Sequence, residues 1–352
     1  MKVLYISSER SEESILLKTA DNIEFREVQI HLRKDMGFPI IKKVYDTYKI
    51  AKLFCPDLIL AEQLGMGTFF TVFIKKKYNI LLVTRMKGNL WKEYQEIQFK
   101  ISFKEKIAKL LNYLSALWIL KNTDAVLPIS NSVKNCIDAK MKNPPQSYIA
   151  HIPHSKNLTG NRKIQRKNPN RNILTVTNFN FWGKVEPLVN SIPMIYPLLE
   201  KFDIEWIILG EGTFLEKCKN ISKPYRKYVR FLGYQPTKPY YNGSAVCMLY
   251  ISGLDGLPNV LLESFYYKLP VIINQNCPAV EFISDGYNGI IVNSDDSESI
   301  CSTLEKLFNN DSYRKFLSDN AYQYLYDNFS LSVVSSELEN ALKKCIHGKC
   351  KK

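Results

Sequence analysis

Two acidic residues eight positions apart raise the first chemical question. Residues 253–264 read GLDGLPNVLLES, with Asp255 in a glycine-flanked turn and Glu263 further along. The turn follows SAVCMLYIS (244–252), an apolar run that reads as a buried strand. Pro258 suits the first turn of a helix, where its missing N–H would have no partner anyway. The helix it opens is expected to end by about Lys268, because Leu269 precedes Pro270. The free amide groups near Gly256–Val260, Pro258 excepted, would then form an anion site, phosphate above all. Glu263 would lie roughly 7–8 Å further along the axis, near the ribose of a diphosphate-linked ligand. A carboxylate there can accept from two vicinal hydroxyls. Asp255 would face the other end of the same ligand. The plainer alternative makes Asp255 a helix cap and Glu263 a solvated charge.

The elements that must carry these residues alternate between strand and helix. KVLYIS (2–7), FREVQIH (25–31), DLILAE (57–62), NILLVTR (79–85), DAVLPIS (124–130) and YIAHIP (148–153) read as strands. Between them lies a helix over 40–54, with Val44, Tyr48, Ala51, Leu53 and Phe54 inward. A long helix is expected from Phe99 to Leu120, and another from near Asn131. The alternation restarts with strands at 172–177, 204–209, 228–233, 244–252, 270–274 and 289–292. Helices over 297–308 and 311–344 close the chain. The fold class is therefore α/β, two Rossmann-like doubly wound domains facing across a cleft, with ligands at the carboxyl ends of the strands. The expected boundaries are 1–158, a basic linker at 159–171, 172–330, and a C-terminal helix and basic tail at 331–352 that packs back on the first domain.

The totals narrow the partners. The 352 residues carry 48 basic and 34 acidic side chains, a net charge of +14. That balance fits an anionic membrane, a phosphorylated substrate or nucleic acid, or serves solubility alone. No aromatic–basic nucleic-acid module is present, so no nucleic-acid partner is expected. The opening segment does not read as a signal peptide, and no run approaches a membrane span. The eight cysteines are scattered without a CxxC pair, which suits reduced thiols in the cytoplasm. Neither they nor the four histidines cluster as metal ligands, so no metal and no cofactor are expected. In Phe99–Leu120, lysines 100, 104, 106 and 109 interleave with Ile107, Leu110, Leu111, Leu114 and Leu117. This pattern fits either a core helix or one lying on an anionic membrane surface.

With these residues in view, the stretch 172–309 resembles the nucleotide-sugar domain of GT-B glycosyltransferases, in particular the retaining family 4. The resemblance is carried by DGLPNVLLES (255–264) and LPVIINQNCPAVEFISDGYNGIIV (269–292), in matching order. It implies transfer of a sugar from a UDP- or GDP-sugar to a glycan or lipid-linked acceptor, at the cytoplasmic face of a membrane. It assigns Asp255 to the donor sugar, Glu263 to the ribose, Lys184 to the diphosphate, and Gly256, Leu257, Pro258 and Asn259 to the phosphate loop. Gly210, Gly212 and Tyr234 fall near the nucleotide. Three positions depart from the family pattern: Asp255 stands for a glutamate, Asn178 for an arginine, and Asn276–Cys277–Pro278 for a glycine pair. In the first domain, Gly65, Arg85, Lys87 and Gly88 are acceptor-side candidates. Ser130 is expected to cap a helix, and His151 and His154 to be structural. A non-catalytic or epimerase-type relative, and a basic nucleic-acid-binding protein, are the competing readings.

Overall fold

The computed structural model describes residues 1–7, 13–30, 38–96, 103–154, 172–241 and 245–349. The expected linker, 159–171, lies outside them. The chain divides into two compact units. One comprises Met1–Asn157 and Phe329–Lys352, the other Leu158–Asn328.

The first unit runs β1 (Lys2–Ser7), α1 (Glu13–Thr19), β2 (Glu24–Gln29), α2 (Phe38–Phe54), β3 (Leu58–Ala61), α3 (Thr71–Tyr78), β4 (Leu81–Met86), α4 (Leu90–Glu96), α5 (Phe103–Asn122), β5 (Ala125–Pro128), α6 (Asn131–Lys140) and β6 (Gln146–Ser147). The second runs β7 (Asn172–Val176), α7 (Trp182–Phe202), β8 (Glu205–Leu209), α8 (Leu215–Ile221), β9 (Val229–Gly233), β10 (Ala245–Tyr250), α9 (Asn259–Tyr266), β11 (Val271–Asn274), β12 (Ile290–Val292), α10 (Ser297–Asn309) and α11 (Asp311–Phe329). Helix α12 (Leu331–Lys349) ends the described chain.

Each unit holds a six-stranded sheet, in the orders β2-β1-β3-β4-β5-β6 and β12-β11-β10-β7-β8-β9. Every pairing is parallel. In the second sheet β7 lies between β8 and β10, so the strand order reverses at the β7–β10 pair. The connections leaving these two strands part there and open a crevice at their carboxyl ends. The apolar strands are buried because helices cover parallel sheets on both faces. Trp206 on β8 is fully buried and donates through Nε1 to Thr175 Oγ1 at 2.9 Å.

Helix α12 belongs to the first unit's core. Val334, Leu338, Ala341, Leu342 and Cys345 pack with Val3, Tyr5, Leu58, Leu60 and Leu81. Its Glu337 carboxylate accepts from the His151 backbone N–H at 2.8 Å and lies 2.9 Å from His151 Nδ1.

Three details differ from expectation. The segment 148–153 is not a strand beyond β6. Tyr148 N–H donates to Val126 and Ala150 N–H to Pro128, but Pro128 has no N–H to return a bond, so the pairing there is one-sided. Leu53 is 84% exposed, because the inward stripe of α2 passes through Tyr48, Ala51 and Phe54, about one helical step away. Finally, Pro187, Pro193 and Pro197 lie inside α7 and hide this 21-residue helix from sequence patterning.

Candidate active site

The second unit places its reactive groups at the β7–β10 reversal. After β7 the chain makes a short loop, and Lys184 falls in the first turn of α7. After β10 the chain passes through Ser252, Gly253 and Asp255 before entering α9. A Cβ on Gly253 would stand 2.4 Å from the Gly183 carbonyl oxygen, so the bare backbone lets the two connections touch. That contact sets Lys184 beside Asp255, with Nζ 2.9 Å from the carboxylate. The lysine is only 6% exposed and the aspartate 22%. A buried ammonium needs such a partner, because desolvating an unpaired charge is costly.

Two hydroxyls complete the carboxylate's surroundings. Ser252 Oγ donates to Asp255 Oδ2 at 3.0 Å, and the Tyr250 hydroxyl donates to the same oxygen. Burial, and then the Asp255 charge, push the Tyr250 phenol well above its ordinary pKa, so it remains a donor at neutral pH. Cys277, from the Asn276–Cys277–Pro278 departure, is buried close by. Desolvation raises its thiol to about 12, and it stays protonated.

A cavity of about 460 Å³ opens over this cluster. Of the residues singled out from the sequence, Lys184, Asp255, Asn178, Gly210, Tyr234, Pro258 and Asn259 line it. Tyr234 is 73% exposed at its rim. The structure does not bring Gly212, Gly256, Leu257 or Glu263 into this lining. Gly212 instead packs on the backbone of Phe179 and Asn180, where a Cβ would come within 2.7 Å. Leu257 is buried. Glu263 is half-buried in α9 beside Tyr241, whose phenol pKa is raised by burial first and by the Glu263 charge second. Pro258 precedes the helix with extended backbone, φ −77° and ψ 132°, rather than occupying its first turn. The helix ends at Tyr266, two residues before the expected limit.

Tyr250, Ser252, Gly183 and Gly253 were not singled out from the sequence. A tyrosine ending an apolar strand reads as core, and only the sheet order brings residues 183 and 253 together. Among the described residues, no group of three or more His, Cys, Asp or Glu side chains is placed to hold a metal.

The first unit has its own cavity of about 310 Å³ at the carboxyl ends of β3 and β4, lined by Arg85, Lys87, Gly88, Glu62 and Glu93 among others. Its charges are engaged within the unit. Arg85 is 1% exposed and donates to the Ala150 and His151 carbonyls at 2.8 and 3.2 Å. Lys87 pairs with buried Glu62 at 2.7 Å, and the Tyr5 hydroxyl donates to Glu62 at 2.5 Å. Gly65 is not in this lining. Its φ of +145° suits glycine, and Asn112 fills the space where a Cβ would sit. Ser130 caps α6, accepting from Val133 N–H at 3.3 Å. The seven described cysteines are all free.

Two six-stranded parallel sheets of this kind match the fold of solved GT-B glycosyltransferases. Residues 159–324 match the family model described as glycosyl transferases group 1. That match takes in a little under half of the chain. An uncharacterized glycosyltransferase of Methanocaldococcus jannaschii, MJ1069, is 24% identical over 261 residues, 71% of this chain and 66%, just under two thirds, of that relative. The N-acetylgalactosamine-N,N'-diacetylbacillosaminyl-diphospho-undecaprenol 4-alpha-N-acetylgalactosaminyltransferase of Campylobacter jejuni is 24% identical over 324 residues, 87% of this chain and 84% of its own length. The crystal structure of Anabaena Alr3699/HepE in complex with UDP-glucose shares the fold, with a TM-score of 0.67 at 12% identity, covering 98% of this chain and 100% of that one.

Proposed function

We propose that this chain transfers a glycosyl group, with retention, from a UDP-sugar or GDP-sugar to a hydroxyl of a lipid-linked glycan. The observation that carries the reading is the buried Lys184–Asp255 pair at the floor of the second unit's cavity. A diphosphate there would meet the Lys184 ammonium and the amides that open α9. The bond from the anomeric carbon to the diphosphate oxygen breaks, a bond to the acceptor oxygen forms, and a nucleoside diphosphate and a proton leave. Lys184 and the amides offset the charge that develops on the leaving group. Asp255 faces the sugar and Glu263 the ribose. No metal or further cofactor is called for, since the lysine supplies the positive charge.

The UDP-glucose bound to the Anabaena protein supports a UDP-sugar, and the name of the Campylobacter relative supports a diphospho-polyprenol acceptor. Helix α5 supports a membrane contact at the cytoplasmic face. Phe103, Ile107, Leu110, Leu111 and Leu114 are each at least 41% exposed along one side, among lysines 104, 106 and 109. Residues 99–102 of the expected segment lie outside the described ones. Among the described residues no helix is long and apolar enough to cross a membrane.

The test is to offer the purified chain a panel of UDP- and GDP-sugars with a polyprenyl-diphosphate-linked saccharide. Nucleoside diphosphate should be released, and the acceptor extended, with one donor class only. A second reading, a non-catalytic nucleotide-sugar binder, is favoured by the three donors already on Asp255. Donor binding without turnover would support it. Conversion of the donor sugar without an acceptor would indicate an epimerase.

A further inference from the structure

We propose that Tyr250 and Ser252 are positioning residues that hold Asp255 in the orientation its short side chain requires, so that residues 250 and 255 act as a matched pair. The proposal rests on the sugar-transfer reading above.

Tyr250 is the last residue of β10 and is 1% exposed. Its hydroxyl and Ser252 Oγ converge on Asp255 Oδ2, while Lys184 Nζ lies 2.9 Å from the carboxylate. Ser252 is itself fixed, because its backbone N–H donates to Asn274 Oδ1 on β11 at 2.9 Å. A carboxylate has about four acceptor directions. Three donors therefore leave about one for a ligand hydroxyl, and Asp255 lines the cavity.

The shorter acid and the tyrosine explain each other. An aspartate carboxylate ends about 1.5 Å nearer its backbone than a glutamate's. A tyrosine hydroxyl, at the far end of a rigid ring, reaches from the strand end to that retracted carboxylate. With phenylalanine at 250, Oδ2 would lose a donor in a largely desolvated place. With glutamate at 255, the carboxylate would be driven against the Tyr250 hydroxyl. With both changes, the longer acid would gain the room that the lost hydroxyl occupied.

The experiment compares wild type, Tyr250→Phe, Asp255→Glu and the double variant for kcat and donor KM, with Ser252→Ala as a further probe. Tyr250→Phe should lower kcat about ten-fold, as expected for losing a hydrogen bond to a charged group, and Asp255→Glu about as much by displacing the carboxylate, with donor KM changing less than about three-fold. Ser252→Ala should lower kcat in the same way. The double variant should return to within about three-fold of wild type, a rescue that a purely structural tyrosine would not produce. Losses that multiply in the double variant, or a Tyr250→Phe enzyme with wild-type kcat, would overturn the pairing while leaving sugar transfer intact. A wild-type chain that transfers from no donor would overturn both.

Discussion

Lys184 Nζ lies 2.9 Å from the Asp255 carboxylate, although 71 residues separate them in the chain. The pair is also linked to the Tyr250 and Ser252 hydroxyls, so the lysine belongs to a connected polar cluster at the strand ends. On the proposed sugar-transfer reading, a donor diphosphate reaching Lys184 would enter a site whose positive charge is already held in place.

Replacing Lys184 should therefore affect folding as well as chemistry. The ion pair with Asp255 sets the cost. Lys184→Met keeps the volume but leaves a mostly buried carboxylate without its counter-ion, at about 3 kcal/mol. For a unit of this size that lowers the melting temperature by roughly 6–12 °C. Transfer should fall at least about a hundred-fold at temperatures where the variant is still folded. Thermal unfolding and initial rates on the same sample check both, and near-wild-type turnover would remove Lys184 from the donor site.

Glu263 should behave differently, because its proposed role is ground-state binding of the ribose. Glu263→Gln is expected to raise donor KM about ten-fold with kcat nearly unchanged. Calorimetry with the nucleoside diphosphate gives an independent reading. Equal affinity in wild type and variant would place the ribose elsewhere, in line with the absence of Glu263 from the cavity lining.

The exposed side of α5 predicts vesicle binding that depends on charge. The chain should float with vesicles containing anionic lipid at low salt and be released as salt is raised. Leu110→Ser with Leu114→Ser should weaken flotation several-fold without changing turnover of a water-soluble acceptor. Failure of the wild type to bind at low salt would end the membrane assignment.

Buried thiols predict alkaline instability. Desolvation raises Cys218 to about 11, and Cys277 and Cys345 to about 12, from an ordinary value of 9.0. Between the ordinary value and these raised ones, the folded chain holds protons that the unfolded chain has released. Stability should thus be intact below about pH 9 and fall progressively toward pH 12. Denaturant titrations across that range should show the midpoint declining, and Cys277→Ala should flatten part of the decline. The exposed Cys55 should react with iodoacetamide at pH 8 well before Cys277 does.

Much of the architecture is legible in local patterning. Strands such as 2–7 and 270–274 are short apolar runs bounded by polar or turn residues, and burial from both faces writes that pattern directly. The helix after Pro258 was legible for the same local reason. One exception has a local cause as well, since three prolines mask α7.

The residues around Asp255 divide along another line. The composition of 253–264 already marks a turn, a helix start and two carboxylates, since those properties depend on neighbours a few residues away. Whether Asp255 meets Lys184 or solvent depends on which strands lie side by side. The β7–β10 pairing and the Gly183–Gly253 contact are long-range choices, made by packing the whole sheet. They turn an isolated acid in a loop into the counter-ion of a buried lysine, and residue spacing along the chain carries no record of that distance.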